Sequence, residues 1–136
     1  EVREYTKIDE AFPYLEKDTV SWINIDGIRK EDIESICAHY SVHALITEDI
    51  LSIGQRPKMD EMNEQVFCLL NMLYFNEEKK TIESEQISII LGKGFVLSFQ
   101  EDAHRDVFNP IRHKLSLPKS QLRQRSADFF SILFLT

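Results

Sequence analysis

Two adjacent carboxylates, Glu48 and Asp49, are the residues of this chain best suited to chemistry. They lie near the end of a predicted helix, where negative side chains oppose the helix dipole. Adjacent helical side chains point about 100° apart, so each carboxylate would contact a different partner. Their hard oxygens suit Mg²⁺ or Ca²⁺, and Mg²⁺ needs only one or two carboxylates because it keeps its waters. Solvated surface charge is the default interpretation of such a pair, and a bound cation is the alternative.

Other potential metal ligands are less well placed in the sequence. His39 and His43 are four residues apart, a spacing that can bind zinc when one helix carries both. Tyr40-Ser41 is expected to break that helix, so a surface pair is the favoured interpretation. The carboxylate pairs Asp60-Glu61 and Glu77-Glu78 are expected at solvated strand ends and turns.

Signatures of catalysis are absent from the sequence. There is no G-x-S-x-G, HExxH or Walker pattern anywhere in the chain. Gly92-Lys93-Gly94 is interpreted as a hairpin turn in which the glycines supply positive φ, because no helix follows to make a phosphate loop. We therefore expect that the chain is not an enzyme.

Size and composition predict one globular domain, residues 1–136, with a substantial core. The net charge of −7, from 23 acidic and 16 basic residues, argues against nucleic-acid binding. Cys37 and Cys68 lie in apolar patterns and are expected to be buried free thiols. No stretch approaches the roughly 20 apolar residues that span a bilayer. Because the chain starts at Glu1 and stops within an apolar run, we expect a fragment of a longer protein.

The elements that must position the two carboxylates follow from hydrophobic periodicity. The predicted helix at 42–52 carries them, and Gly54 lies just past its end. The remaining predictions are strands at 2–5, 20–25, 65–75, 86–91 and 95–99, and helices at 9–17, about 30–40, about 105–115 and from 119 onward. This order predicts an α/β fold with a mixed parallel and antiparallel sheet sandwiched between helices.

The ordered set of blocks in this chain resembles the cytoplasmic domain of CorA-type magnesium transporters. The resemblance covers about residues 20–130. The blocks that carry it are Trp22-Ile23-Asn24-Ile25-Asp26-Gly27, residues 43–51, Gln55-Arg56-Pro57-Lys58, Glu83-Ser84-Glu85-Gln86-Ile87-Ser88, Phe99-Gln100-Glu101, Asp106-Val107-Phe108-Asn109-Pro110-Ile111-Arg112 and Arg125-Ser126-Ala127-Asp128-Phe129.

The resemblance implies a regulatory domain on the cytoplasmic side of the cell (inner) membrane. It implies a homopentameric channel for divalent cations, whose stalk, two membrane helices and Gly-Met-Asn signature are absent from this chain. Mg²⁺ at intersubunit carboxylate sites would favour the closed state. By position, Asp49 would be the principal regulatory carboxylate, facing an acidic residue on the neighbour's stalk. Glu48 would help to hold a second ion nearby.

Some positions depart from the family pattern, and two alternatives stay open. Ala44 stands where the family often has proline, and Thr47 stands where an aliphatic residue is usual. One alternative is a zinc or cobalt transporter of the same superfamily, for which Cys37, His39 and His43 are the softer ligands. The other is a soluble interaction module that shares the fold. Without a stalk, the fragment is expected to be monomeric or weakly associated.

Overall fold

The chain folds around a mixed β-sheet. This is seen in a computed structural model, which describes residues 3–14, 20–102, 104 and 107–117. The strands are β1 (Ser21–Asp26), β2 (Lys58–Met62), β3 (Gln65–Asn76), β4 (Thr81–Gly92) and β5 (Phe95–Gln100). The α-helices are α1 (Lys30–His39), α2 (Ala44–Leu51) and α3 (Asn109–Ser116). Single 3₁₀ turns at Ile8–Glu10 and Phe12–Tyr14 precede β1.

Within the described residues the sheet has five strands, in the order β1-β5-β4-β3-β2. Three successive antiparallel pairs join β2 to β5, whereas β1 pairs with β5 in parallel. A parallel pair needs a long crossover, and α1 and α2 lie on the connection that leaves β1. The predicted mixed sheet is confirmed.

One face of the sheet packs against α1 and α2 to form the larger core. The helices contribute apolar side chains at helical spacing, and alternate residues of the strands complete the layer. Its fully enclosed members include Ile33, Ile36 and Cys37 of α1, Ile46 and Ile50 of α2, and Phe67, Leu69, Ile90, Leu97 and Phe99 of the sheet.

The opposite face carries a smaller core beneath α3 and a polar ladder beside it. Trp22 packs edge-on against the buried Phe108 ring, with 5.7 Å between the centroids. The Trp22 indole N–H donates to Ser98 Oγ at 2.9 Å, and that hydroxyl donates to Asn24 Oδ1 at 2.7 Å. Helices therefore cover both faces, which confirms the predicted sandwich.

Several predicted elements differ in the structure. Residues 3–5 form no strand, and the predicted helix at 9–17 is replaced in its described part by the 3₁₀ turns, where Pro13 removes a main-chain donor. Strand β2 was not predicted. Strand β4 begins at residue 81 instead of 86, and α3 begins at 109 instead of 105. Residues 2, 15–17, 105–106 and those from 119 onward lie outside the described residues.

The hairpin between β4 and β5 uses its two glycines differently. Gly94 has φ +79°, as predicted for the turn. Gly92 has no positive φ, which corrects the prediction for that residue. A side chain at Gly92 would overlap the ring of Phe95, its cross-strand partner, so this glycine serves close packing.

Within residues 3–14, 20–102, 104 and 107–117, every helix falls short of the length and apolar character needed to cross a bilayer.

Candidate metal site at the end of helix α2

Helix α2 begins as a separate element because the chain turns between it and α1. Ser41 has φ +54°, and α1 ends at His39, so the predicted break at Tyr40-Ser41 is confirmed. His43 is the N-cap of α2, and its Nδ1 accepts a hydrogen bond from the Leu45 N–H at 3.1 Å. The His39 ring instead stacks on Phe12, with 4.4 Å between centroids. The two imidazoles therefore have different partners.

The two carboxylates of α2 lie in different environments, as their spacing predicts. Ile46 and Ile50 face the core, which leaves Glu48 exposed to solvent. The side chain of Asp49 is only 21% exposed, and its carboxylate forms an ion pair with the ammonium of Lys58. Glu48 can therefore meet a partner in solvent, whereas Asp49 already has a cationic neighbour within the chain.

Lys58 lies between two aspartates at the start of β2. Its ammonium pairs with Asp49 and lies 3.6 Å from Asp60 Oδ2. It also lies 6.0 Å from the centroid of the Phe67 ring. The hydrogen bond to Asp49 raises the pKa of Lys58, so the ammonium stays charged at neutral pH.

The end of α2 is tied to the sheet by side-chain amides. The last carbonyls of a helix lack partners within the helix and need other donors. The buried amide of Gln86 on β4 donates to Ser52 O at 3.0 Å and to Asp49 O at 3.4 Å. Gln55 Nε2 also donates to Asp49 O, at 3.3 Å. The main chain of Asp49 is therefore positioned by the sheet.

A second layer of hydrogen bonds holds the segment that follows α2. The Gln55 N–H donates to Gln86 Oε1 at 3.2 Å, and Asn71 Nδ2 on β3 donates to Gln55 O at 3.1 Å. Gly54 has φ +84°, which lets the chain turn after the helix, as predicted. These contacts direct the chain from Asp49 round to Lys58.

Sequence reasoning missed Lys58 and Gln86 as parts of this site. A basic residue shortly after an acidic doublet, with a glycine turn between them, was the available signal for the Lys58 pair. For Gln86 the available signal was its place at the start of an apolar run, which predicts that its side chain is buried. A buried amide needs hydrogen-bond partners, so a contact with another element could have been expected. Asp60, expected at a solvated strand end or turn, lies within β2 and faces Lys58.

The donor set within the described residues fits part of a site for a hard divalent cation. Asp49 and Glu48 offer carboxylate oxygens, the ligands that Mg²⁺ prefers. No three histidine, cysteine, aspartate or glutamate side chains are grouped to hold a metal ion in the part of the chain that the structure describes. Burial raises the pKa of the Cys37 thiol, which disfavours the thiolate that zinc needs. Further ligands would have to come from elsewhere.

Comparison with known proteins gives a consistent result. The family described as CorA-like Mg²⁺ transporter protein matches residues 17–136. The cobalt/magnesium transport protein CorA of Thermotoga maritima is 36% identical over 132 residues, which is 95% of this chain and 37% of that protein. The chain thus spans well under half of that relative's length.

A solved structure with the same fold is the ZntB cytoplasmic domain from Vibrio parahaemolyticus. It matches with a TM-score of 0.58 and 19% identity, over 79% of this chain and 45% of that chain. At this identity the likeness shows the fold alone. It confirms the α/β class predicted from the sequence.

Proposed function

Because this chain belongs to the CorA-like Mg²⁺ transporter family, we propose that it is the cytoplasmic regulatory domain of a Mg²⁺ transport channel. The family consists of transporters, so the chain is not an enzyme, as expected. We place residues 1–136 as one domain on the cytoplasmic side of the cell membrane, in a longer protein that supplies the stalk and membrane helices.

The observation that carries this proposal is the fixed, partly accessible carboxylate of Asp49 beside the exposed Glu48. The side-chain amides of Gln86 on β4 and of Gln55 in the loop after α2 hold the main chain of Asp49, so its carboxylate starts from a defined position. One or two carboxylates leave a Mg²⁺ shell to be completed by waters and by other ligands. In the proposal those ligands are acidic residues of a neighbouring subunit in a homopentamer.

Electrostatics gives this arrangement a regulatory role. Two carboxylates about 4 Å apart repel by about 1 kcal/mol in a water-like dielectric. Repeated at five interfaces, the repulsion approaches the roughly 5.5 kcal/mol that moves a two-state equilibrium from 1:99 to 99:1. Bound Mg²⁺ would screen these pairs and favour the closed channel, and its loss would favour open forms.

Asp49→Asn in the full-length protein tests the proposal. The substitution keeps the size of the side chain and removes its charge, so closure should require a higher Mg²⁺ concentration in current recordings. Glu77→Gln in the exposed turn between β3 and β4 is a matched control, because it removes one carboxylate far along the chain from α2. If Asp49→Asn channels close at the same Mg²⁺ concentration as wild-type channels, the role proposed for Asp49 is wrong.

The identity of the transported ion is tested separately. The Thermotoga maritima relative is named for cobalt as well as magnesium, so Co²⁺ is included with Mg²⁺ in the proposal. A zinc transporter is the rival proposal. The buried Cys37 thiol argues against it, because its raised pKa disfavours the thiolate that would bind Zn²⁺. Flux measurements in which Mg²⁺, Co²⁺ and Zn²⁺ compete would rank the three ions.

A further inference from the structure

We propose that Lys58 competes with the divalent cation for the Asp49 carboxylate and thereby sets the ion concentration to which the domain responds. The inference rests on the proposed function, since it deepens the role given to Asp49. It assigns a regulatory part to a residue that supplies no oxygen ligand. Lys58 would act as a tethered cation that an incoming ion must move.

The first support is that Lys58 and an incoming ion need the same atoms. The ammonium of Lys58 pairs with Asp49 Oδ2. About four fifths of the Asp49 side chain is covered, so the ammonium and a cation share a small accessible part of the carboxylate. A divalent ion beside an ammonium is also repelled by it, which weakens binding further.

The second support is that Lys58 has an alternative acceptor within reach. Asp60 lies two residues later on β2, and because strand side chains alternate, both point to the same face of the sheet. Lys58 Nζ is only 3.6 Å from Asp60 Oδ2. Lys58 can therefore leave Asp49 by a side-chain rotation and still keep a counter-ion.

The third support is the tether itself. Lys58 is the first residue of β2 and is paired with Leu69 of β3, so its main chain is fixed in the sheet. A tethered group has an effective concentration in the millimolar range or above. A monovalent ion carries the same charge as the ammonium, so its attraction to the carboxylate is no stronger than that of the group it replaces. A divalent ion carries twice the charge and is attracted more strongly. Lys58 would therefore favour divalent over monovalent cations at Asp49.

The experiment measures Mg²⁺ binding to the full-length protein by titration calorimetry and by the Mg²⁺-dependent rise in unfolding temperature. Lys58→Met removes the ammonium and keeps most of the apolar stem, so it should bind Mg²⁺ roughly three- to tenfold more tightly. K⁺ should weaken Mg²⁺ binding more in this variant than in the wild type. Lys93→Met makes the same change in the exposed turn between β4 and β5, remote from Asp49. It should leave the Mg²⁺ affinity and the effect of K⁺ on that affinity unchanged.

Lys58→Arg provides the second arm, which also serves if Lys58→Met fails to fold. Arginine keeps the charge but can grip a carboxylate with two parallel hydrogen bonds. Mg²⁺ binding should therefore be weaker in Lys58→Arg than in the wild type. If Lys58→Arg binds Mg²⁺ as tightly as the wild type or more tightly, the proposal that Lys58 competes with the ion is wrong.

The outcomes separate this inference from the proposed function. If Asp49→Asn weakens Mg²⁺ binding and Lys58→Met leaves it unchanged or weaker, Lys58 does not compete and the sensor role of Asp49 stands. If Asp49→Asn leaves binding unchanged, the proposed function fails and the inference fails with it. Tighter binding in Lys58→Met together with weaker binding in Asp49→Asn supports both.

Discussion

The side-chain amide of Gln86, on the central strand β4, donates to the main-chain carbonyl of Asp49 at a distance of 3.4 Å. The residue proposed to bind a cation is thus fixed through its main chain while its side chain pairs with Lys58. The position of the carboxylate therefore depends on buried contacts as well as on surface charge.

Gln86→Leu should destabilise the domain by about 2–4 kcal/mol. The substitution leaves Ser52 O without its side-chain donor and the Gln55 N–H without its acceptor, and each such group costs about 1–3 kcal/mol. Asp49 O keeps the hydrogen bond from Gln55 Nε2. Urea denaturation measures the free energy of unfolding. Ser84→Ala, at an exposed position two residues earlier on β4, is the control and should change it by less than about 0.5 kcal/mol. Equal losses in the two variants would show that the amide does not hold the helix end.

Tyr40→Phe should leave the domain as stable as the wild type at neutral pH, or more stable. The Tyr40 hydroxyl is buried and has no hydrogen-bond partner among the described residues, so its removal relieves a desolvated polar group. Tyr74→Phe is the contrasting control, because the Tyr74 hydroxyl donates to Glu83 at 2.7 Å. That variant should lose stability in the same urea titration.

The same tyrosine should make the domain less stable in alkali. Burial among rings that include His39 and Phe95 raises the pKa of Tyr40 to about 12, above its usual 10.0. Between these values the unfolded chain loses the proton that the folded chain keeps, so the free energy of unfolding falls as pH rises. Tyr40→Phe should show a smaller fall over this range, with the remainder coming from other groups. An identical pH dependence in both proteins would contradict the assignment.

The glycines of the β4–β5 turn should respond differently to alanine. Gly94→Ala should cost about 1–2 kcal/mol through its positive φ, with nothing within 4 Å of the new Cβ. Gly92→Ala should be destabilising because its Cβ meets the Phe95 ring. Combining each change with Phe95→Leu in a double-mutant cycle separates the two causes. Coupling of about 1 kcal/mol or more is expected for Gly92, and coupling below about 0.5 kcal/mol for Gly94.

Periodicity predicted the helices and the central strands because their apolar residues face one core. The run Ile33, Ile36 and Cys37 has helical spacing, and α1 was placed correctly to within one residue of its end. Strand β2 was missed because Lys58-Met59-Asp60-Glu61-Met62 has no β-branched or aromatic residue. Such a charged sequence is tolerated at the edge of a sheet, which is where β2 lies.

Only those features of the site that depend on neighbouring residues in the sequence could be predicted. The divergence of Glu48 and Asp49 follows from helix geometry and needs no knowledge of the rest of the chain. The pairing of Asp49 with Lys58 depends on the path after Gly54 and on the register of β2 against β3. The contact from Gln86 spans 37 residues along the chain and depends on where β4 passes beneath α2. Neither relationship has a periodic signature.

The parallel pairing of β1 with β5 has a consequence for how the protein is made. Asn24 and Ser98 are neighbours in the sheet although they are 74 positions apart in the sequence, whereas β3, β4 and β5 follow one another through short turns. Among the described strands, β1 is translated first but can form none of its native sheet hydrogen bonds until β5 has followed. It must therefore wait for the strand that is translated last of the five.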